Sequence, residues 1–404
     1  MSTGWEIFII NDKDNNNRRY LNSLSLVSKQ FLSVTNPFLF SLFLSFNNPF
    51  TLYDESPCCR LFNRFTNVNS LKLRGNIETF LFRISSLPLK LTSLNISYIP
   101  TNALRTFSQK ITTLTSLTCC KINSFDLLLI AECFPFLEEL DLSNAYACKP
   151  IYGSYLDDRI EALSLALIKL RKVNLTGVPI KDQSLSHLFN NCKYLEEVII
   201  SKCHEITREG LASAIRERLT LRSLSFSTTY NPEHGQVFTT SQFIDSLVSL
   251  KGLTSLVLHC LNISDELLYS IAREGLPLTR LDLYICNNYS YAGIFCLLSQ
   301  CQRIQHLNLE SAIFLNDQHV VELSSFLGDL VSINLSCCYK LTKSALVALA
   351  KNCSSLSEIK MVRIGSHVTP RMPYVDIGHY DNLVDFGVYP HLKALYLGCN
   401  SWYL

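Results

Sequence analysis

LTSLVLHCLNISDELLYSIAREGLPLTRLDL, residues 253–283, contains one full period of the fold. It opens on apolar-x-x-apolar-x-apolar at Leu253, Leu256 and Leu258, and the same frame reopens 25 residues later at Leu278, Leu281 and Leu283. In the Leu-x-Leu part, a period of two puts both side chains on one side of a short strand. The stretch between, ISDELLYSIAREG (263–275), has helical spacing, with Ser264 or Asp265 as N-cap and Gly275 as stop.

Outward from this period, the frame recurs as VNSLKL (68–73), LTSLNI (91–96), LTSLTC (114–119), LEELDL (137–142), LRKVNL (170–175), LEEVII (195–200) and LRSLSF (221–226). After LTSLVL (253–258) and LTRLDL (278–283) come IQHLNL (304–309), LVSINL (330–335), LSEIKM (356–361) and LKALYL (392–397). The thirteen starts are separated by 23, 23, 23, 33, 25, 26, 32, 25, 26, 26, 26 and 36 residues, a ladder that chance does not produce in a Leu-rich chain. ITREGLASAIRERL (206–219), with Thr207 as cap, and LTKSALVALAKNC (341–353) repeat the helical stretch. The three long steps predict extra loops near 145–157, 228–241 and 363–391.

This pattern resembles the leucine-rich repeat over roughly residues 60–404. The expected fold class is therefore α/β: a solenoid with strands in a parallel concave sheet and helices on the convex side. Cys203, Cys286 and Cys338 stand eight residues after a unit's first apolar position, and Cys192, Cys301 and Cys353 three residues before one. These slots resemble the cysteine-containing, plant-type class of the repeat. They read as turn corners that hold structural thiols rather than disulfides or metal ligands.

Composition narrows the function. Of 404 residues, 48% are hydrophobic and 17% charged, which fits a large core and not a disordered chain. A net charge of +2 gives no bulk field for nucleic acid or a membrane surface. The longest apolar run, FLFSLFLSF (38–46), is far short of the roughly 20 residues a membrane helix needs. MSTGWEIFIINDKD does not read as a secretory signal, and no CxxC pair occurs, so an intracellular protein in cytoplasm or nucleus with reduced thiols is expected. No phosphate-binding glycine loop, nucleophile elbow or zinc motif is present. Asp12-Lys-Asp14 begins like a calcium loop but carries Asn17 at its sixth position and Ser23 at its twelfth. The reading is of a non-enzyme without cofactor or metal.

The N-terminal segment is different. RRYLNSLSLVSKQFLSV (18–34) places Tyr20, Leu21, Leu24, Val27, Phe31 and Val34 on one helical stripe, ended by Asn36-Pro37. LNSLSLVSKQFLSVTN resembles the second half of an F-box, and WEIFII resembles the end of its first helix. Repeats following an F-box are the arrangement of the F-box/leucine-rich-repeat family. The resemblance implies a substrate-recognition subunit of an SCF-type cullin ubiquitin ligase. Its F-box would dock a Skp-type linker, and its repeats would hold a protein client for ubiquitination and proteasomal degradation. By position, the linker-docking residues would be Trp5, Ile7, Leu21, Leu24, Val27, Ser28 and Phe31. An F-box of this family opens with Leu-Pro before the Trp, whereas here only Met1–Gly4 precede Trp5. With LKALYLGCNSWYL closing the chain on a bare strand, both ends read as clipped, and the competing reading is a repeat scaffold with a non-docking F-box.

The expected division is a partial F-box at 1–36, a connector and solenoid N-cap at 37–67, and about thirteen repeats at 68–404. The x positions of each unit point out of the sheet. The richest set for gripping a client is Arg280, Asp282 and Tyr284 with His306, Asn308 and Glu310, because Arg and Tyr are common interface anchors. Ser332, Asn334 and Ser336 follow on the next rung.

Overall fold

The computed structural model describes residues 5–8, 39–46, 56–143, 156–228, 238–365 and 392–398. The chain forms two compact units, Met1–Leu195 and Glu196–Leu404. In the first, strands β1 (Trp5–Phe8), β2 (Ser41–Phe46), β3 (Ser70–Gly75), β4 (Ser93–Ile96), β5 (Ser116–Cys119), β6 (Glu139–Asp141) and β7 (Lys172–Asn174) occur in that order. Helices α1 (Ser56–Arg64), α2 (Glu78–Ile84), α3 (Thr101–Lys110), α4 (Ser124–Cys133), α5 (Leu156–Ala166) and α6 (Asp182–Asn191) alternate with β2 onward. The second unit has β8 (Glu197–Ser201), β9 (Ser223–Ser227), β10 (Ser255–His259), β11 (Arg280–Asp282), β12 (His306–Asn308), β13 (Ser332–Asn334), β14 (Glu358–Val362) and β15 (Ala394–Gly398). Its helices are α7 (Arg208–Glu217), α8 (Ser241–Val248), α9 (Asp265–Glu274), α10 (Tyr291–Gln300), α11 (Asp317–Ser324) and α12 (Lys343–Asn352).

Each unit is a leucine-rich-repeat solenoid in which, from β2 onward, successive strands pair in parallel. The register is the repeat itself. Leu71, Leu94, Leu117, Leu140 and Val173 stand side by side in the first unit. Val198, Leu224, Leu256, Leu281, Leu307, Ile333 and Ile359 do so in the second. All twelve are buried, each contributing roughly 1.5–3 kcal/mol against leaving it in water. The thirteen sequence units coincide with β3 to β15.

Three local devices recur along the coils. The first is at the helix ends. The Thr207 hydroxyl accepts the Gly210 amide at 2.9 Å, and Gly275 ends α9 in the left-handed conformation at φ 59°, both as expected. At the other cap the structure chooses between the two candidates: Ser264 is the N-cap, and Asp265 reaches to the next coil, accepting the Ser290 amide at 2.8 Å and hydroxyl at 2.6 Å. Asp317 treats Thr342 in the same way, and Asp157 accepts the Ser184 hydroxyl.

The second device is the thiol corner. Cys286 donates to the carbonyl of Leu258 at 3.0 Å, Cys338 to Leu309 at 3.4 Å and Cys301 to Leu276 at 3.5 Å, each in the preceding coil. Cys192 and Cys353 make longer contacts of the same kind to Ser164 and Ser324. Burial pushes the Cys286 and Cys338 thiols up to about 12 and Cys301 and Cys353 to about 11, so they stay protonated. Twelve cysteines among the described residues are free thiols, these five corner thiols included.

The third is a left-handed residue seven positions into the coil. Lys202, Cys260, Ile285, Ser311, Cys337 and Arg363 all have φ between 52° and 60°, except Ser311 at 70°. Five of the amides donate to the neighbouring coil: Lys202 to Ser227, Cys260 to Tyr284, Ile285 to Glu310, Ser311 to Ser336 and Cys337 to Val362. These bonds hold a conformation that normally costs a non-glycine residue about 1–2 kcal/mol. Glycine fills the slot at Gly75, where a Cβ would lie 2.1 Å from the Phe46 carbonyl oxygen.

Two findings differ from expectation at the N-terminal side. The connector contains a further parallel strand: β2 pairs with β3, Leu42 opposite Leu71 and Leu44 opposite Leu73, with both leucines buried. Leu39-Phe40-Ser41-Leu42-Phe43-Leu44 is itself the repeat frame. Trp5–Phe8, expected to end a helix, is instead a strand running antiparallel to β2 with Trp5 opposite Phe46. Its aromatic and β-branched residues suit a strand, and β2 offers a free edge for it. The stripe at 18–34 and the three expected extra loops fall wholly or largely outside the described residues. So do Asp12–Ser23.

Candidate functional site

On the strand face of the second unit, three columns of side chains cross β11 to β14. Parallel register fixes them: Arg280, His306, Ser332 and Glu358 form one, and Asp282, Asn308, Asn334 and Lys360 the next. Tyr284, Glu310, Ser336 and Val362 follow two residues further along. The first two columns, with Leu281, Leu307 and Ile333 beneath, line an open cleft of about 180 Å³.

The second column bends back on its own backbone. Asp282, Asn308 and Asn334 each accept the amide two residues on, from Tyr284 at 3.2 Å, Glu310 at 3.0 Å and Ser336 at 3.1 Å. Asp141 and Asn174 do the same in the first unit. Each of these five strands stops after three residues, because a short side chain that captures a nearby amide competes with continued pairing.

Asp282 is the electrostatic centre. It is 6% exposed, with His259 Nε2 2.9 Å from Oδ1 and an Arg280 guanidinium nitrogen 3.4 Å from Oδ2. The His259 contact is close but off the line of a good hydrogen bond. Burial works to raise the Asp282 carboxyl. His259, the Asn308 amide and Arg280 together outweigh it and hold the group below the ordinary carboxylate range.

Around this centre the polar groups are linked. The His306 Nδ1 lies 2.9 Å from the Ser332 hydroxyl, and the Asn334 amide donates to Glu310 at 2.8 Å. Tyr284 sets its ring edge-on to His259 at 5.3 Å, and burial followed by the charge of Glu310 raises its phenol. Burial first, then the charge of Arg280, lowers the His306 imidazole, with Glu358 pulling the other way.

The six residues singled out from sequence are thus brought together on adjacent rungs. Their roles divide: Asp282 is buried and engaged on its own strand, while Arg280, Tyr284, His306, Asn308 and Glu310 reach the surface in part. Three members were missed: His259, Glu358 and Lys360. Their signal was the same outward position in LTSLVLH and LSEIKM, one unit before the chosen pair and two units after it. Of the linker-docking set, Trp5 and Ile7 lie in β1, and Leu21, Leu24, Val27, Ser28 and Phe31 are outside the described residues. No group of side chains among the described residues could hold a metal ion, and no helix there is long and apolar enough to cross a membrane.

No family model matches the chain. Among solved structures, it is similar to a chain of the yeast Rad7 and Elc1 complex, with 19% identity over 86% of this chain and 83% of that one, at a TM-score of 0.53. It also aligns with an internalin (inlF) of Listeria monocytogenes at 17% identity, covering 96% and 94% with a TM-score of 0.44. The leucine-rich repeat-containing protein LegL7 of Legionella pneumophila aligns at 17%, covering 72% and 89% with a TM-score of 0.42. At such identities only the first carries an argument, and what it carries is the fold: a solenoid of stacked strand–helix coils.

Proposed function

We propose that this protein is a substrate-recognition adaptor of an SCF-type cullin ubiquitin ligase and not itself an enzyme. The segment 1–36 docks a Skp-type linker, and the β11–β14 face holds a protein client, within cytoplasm or nucleus. The observation that carries this reading is the L-x-L-V-S-K-x-F run at Leu24–Phe31 followed by a leucine-rich-repeat solenoid. A solenoid supplies a broad, rigid surface, and partner choice resides in the few side chains displayed on it. The yeast neighbour was crystallised as a complex, Rad7 with Elc1, which gives a precedent for this fold inside an assembly. The test is a pull-down with a Skp-type linker. Wild type retains it, and Leu24→Asp loses it, because an unpaired charge in an apolar contact costs about 3–5 kcal/mol.

A second reading has its own support. Trp5–Phe8 pairs with β2 as a strand, so the first element of an F-box is diverted to the sheet edge. On that reading the N-terminal segment caps the repeats and the protein is a binding scaffold without a ligase partner. Wild type that leaves the linker unbound selects it.

A further inference from the structure

The cleft on β11–β14 has a polarity that names the chemistry of its occupant. Asp282 is already served by the Tyr284 amide, His259 and the Asn308 amide, so Arg280 at 3.4 Å is a long and supernumerary contact. The Arg280 side chain is 49% exposed, and a guanidinium carries five donors in a flat fork suited to a carboxylate. Beside it, His306 has Nδ1 engaged by the Ser332 hydroxyl, which leaves Nε2 as the ring nitrogen for a ligand. Lys360 stands at the far end of the neighbouring column, on the same strand as Glu358. Glu358, at the far end of the Arg280 column, repels an anion there and so restricts it to the β11–β12 end.

We propose that this cleft binds an acidic segment of a partner polypeptide, seating one carboxylate side chain on Arg280 beside His306. The inference rests on the protein-binding reading of this face and adds the partner's chemistry to it. Charge complementarity argues for the occupant: Asp282 is used internally and Glu358 stands at the far end, while Arg280 at the near end is half exposed and held by Asp282 only at 3.4 Å. The acidic residue is placed over β11 and β12, because Glu358 disfavours it at the other end of the Arg280 column.

The experiment follows the His306 ring by NMR in the full chain labelled at histidine, assigned by the loss of its signal in His306→Asn. The probes are N-acetyl-tetraglutamate amide, N-acetyl-tetralysine amide and inorganic phosphate. The expected result is a saturable shift with tetraglutamate and an upward move of the His306 titration, since a nearby anion favours the imidazolium. Arg280→Gln should weaken the binding about tenfold, the loss of one charge-assisted pair. Glu358→Gln should strengthen it, an opposite sign that misfolding cannot imitate. Three results overturn the proposal: no shift with tetraglutamate, an equal response to tetralysine or to phosphate, or binding indifferent to Arg280→Gln. A client that co-purifies through Tyr284 while tetraglutamate fails to bind would discard the acidic anchor and leave the recognition reading standing.

Discussion

Replacing Asp282 by Asn and by Ala separates its two roles. The carboxylate accepts the Tyr284 amide at 3.2 Å, and it balances His259, Arg280 and the Asn308 amide while 6% exposed. Asn can keep the first role, because Asn308 and Asn334 perform it on the next two rungs at 3.0 and 3.1 Å. Asp282→Asn therefore loses only the charge-assisted part, about 1–2 kcal/mol. Asp282→Ala leaves the Tyr284 amide and the Asn308 amide without their acceptor and removes the carboxylate beside His259 and Arg280, and should cost about 3–5 kcal/mol. Acid dependence tells the charge from the shape. A folded-state carboxyl held below its unfolded value of about 3.9 stabilises fully above that value and loses its contribution as pH falls through the lower folded one. Urea unfolding of wild type and Asp282→Asn between pH 7 and pH 3 should show a stability gap that is full near pH 5–6 and narrows below pH 4. A gap that stays constant down to pH 3, or an Asn variant as damaged as the Ala variant, refutes the assignment of Asp282 as the charged centre of this face.

Two further outcomes concern the scaffold. Gly75→Ala should destabilise by about 3 kcal/mol or more in urea titration, since φ is 88° and the new Cβ meets the Phe46 carbonyl of the adjacent strand. Native-state alkylation at neutral pH should label exposed Cys120 and spare Cys286 and Cys338, whose thiols burial pushes up to about 12. In denaturant without reductant, all sixteen cysteines should react, and a reproducible disulfide would contradict the reduced state expected of them.

The repeat was legible because one frame specifies both register and burial: a leucine at 281 lands beside 256 and 307 once the strands run parallel. Thr207 and Gly275 were legible for local reasons, a hydroxyl and a free φ where a helix begins and ends. The corner thiols were legible as a spacing, though their acceptors, carbonyls 25–29 residues back, exist only after coils stack. The left-handed turn was hidden because Ile285, Cys260 and Lys202 occupy a position whose usual marker is glycine. β2 was hidden by its composition: Phe38–Phe46 reads as one apolar run, in which aromatic residues on the outward positions mask the period of two. In the site, sequence showed which side chains leave the sheet. It did not show that Asp282 turns back to its own strand, because the Asx bond depends on where that strand stops.

The claim that the β11–β14 face holds a client is tested most directly by affinity purification of the full chain from its native tissue, wild type against Tyr284→Ala/Glu310→Ala. The account predicts that wild type retains both a Skp-type linker and a client, and that the double variant keeps the linker and loses the client. A client that persists after both changes would contradict it and move recognition away from this face.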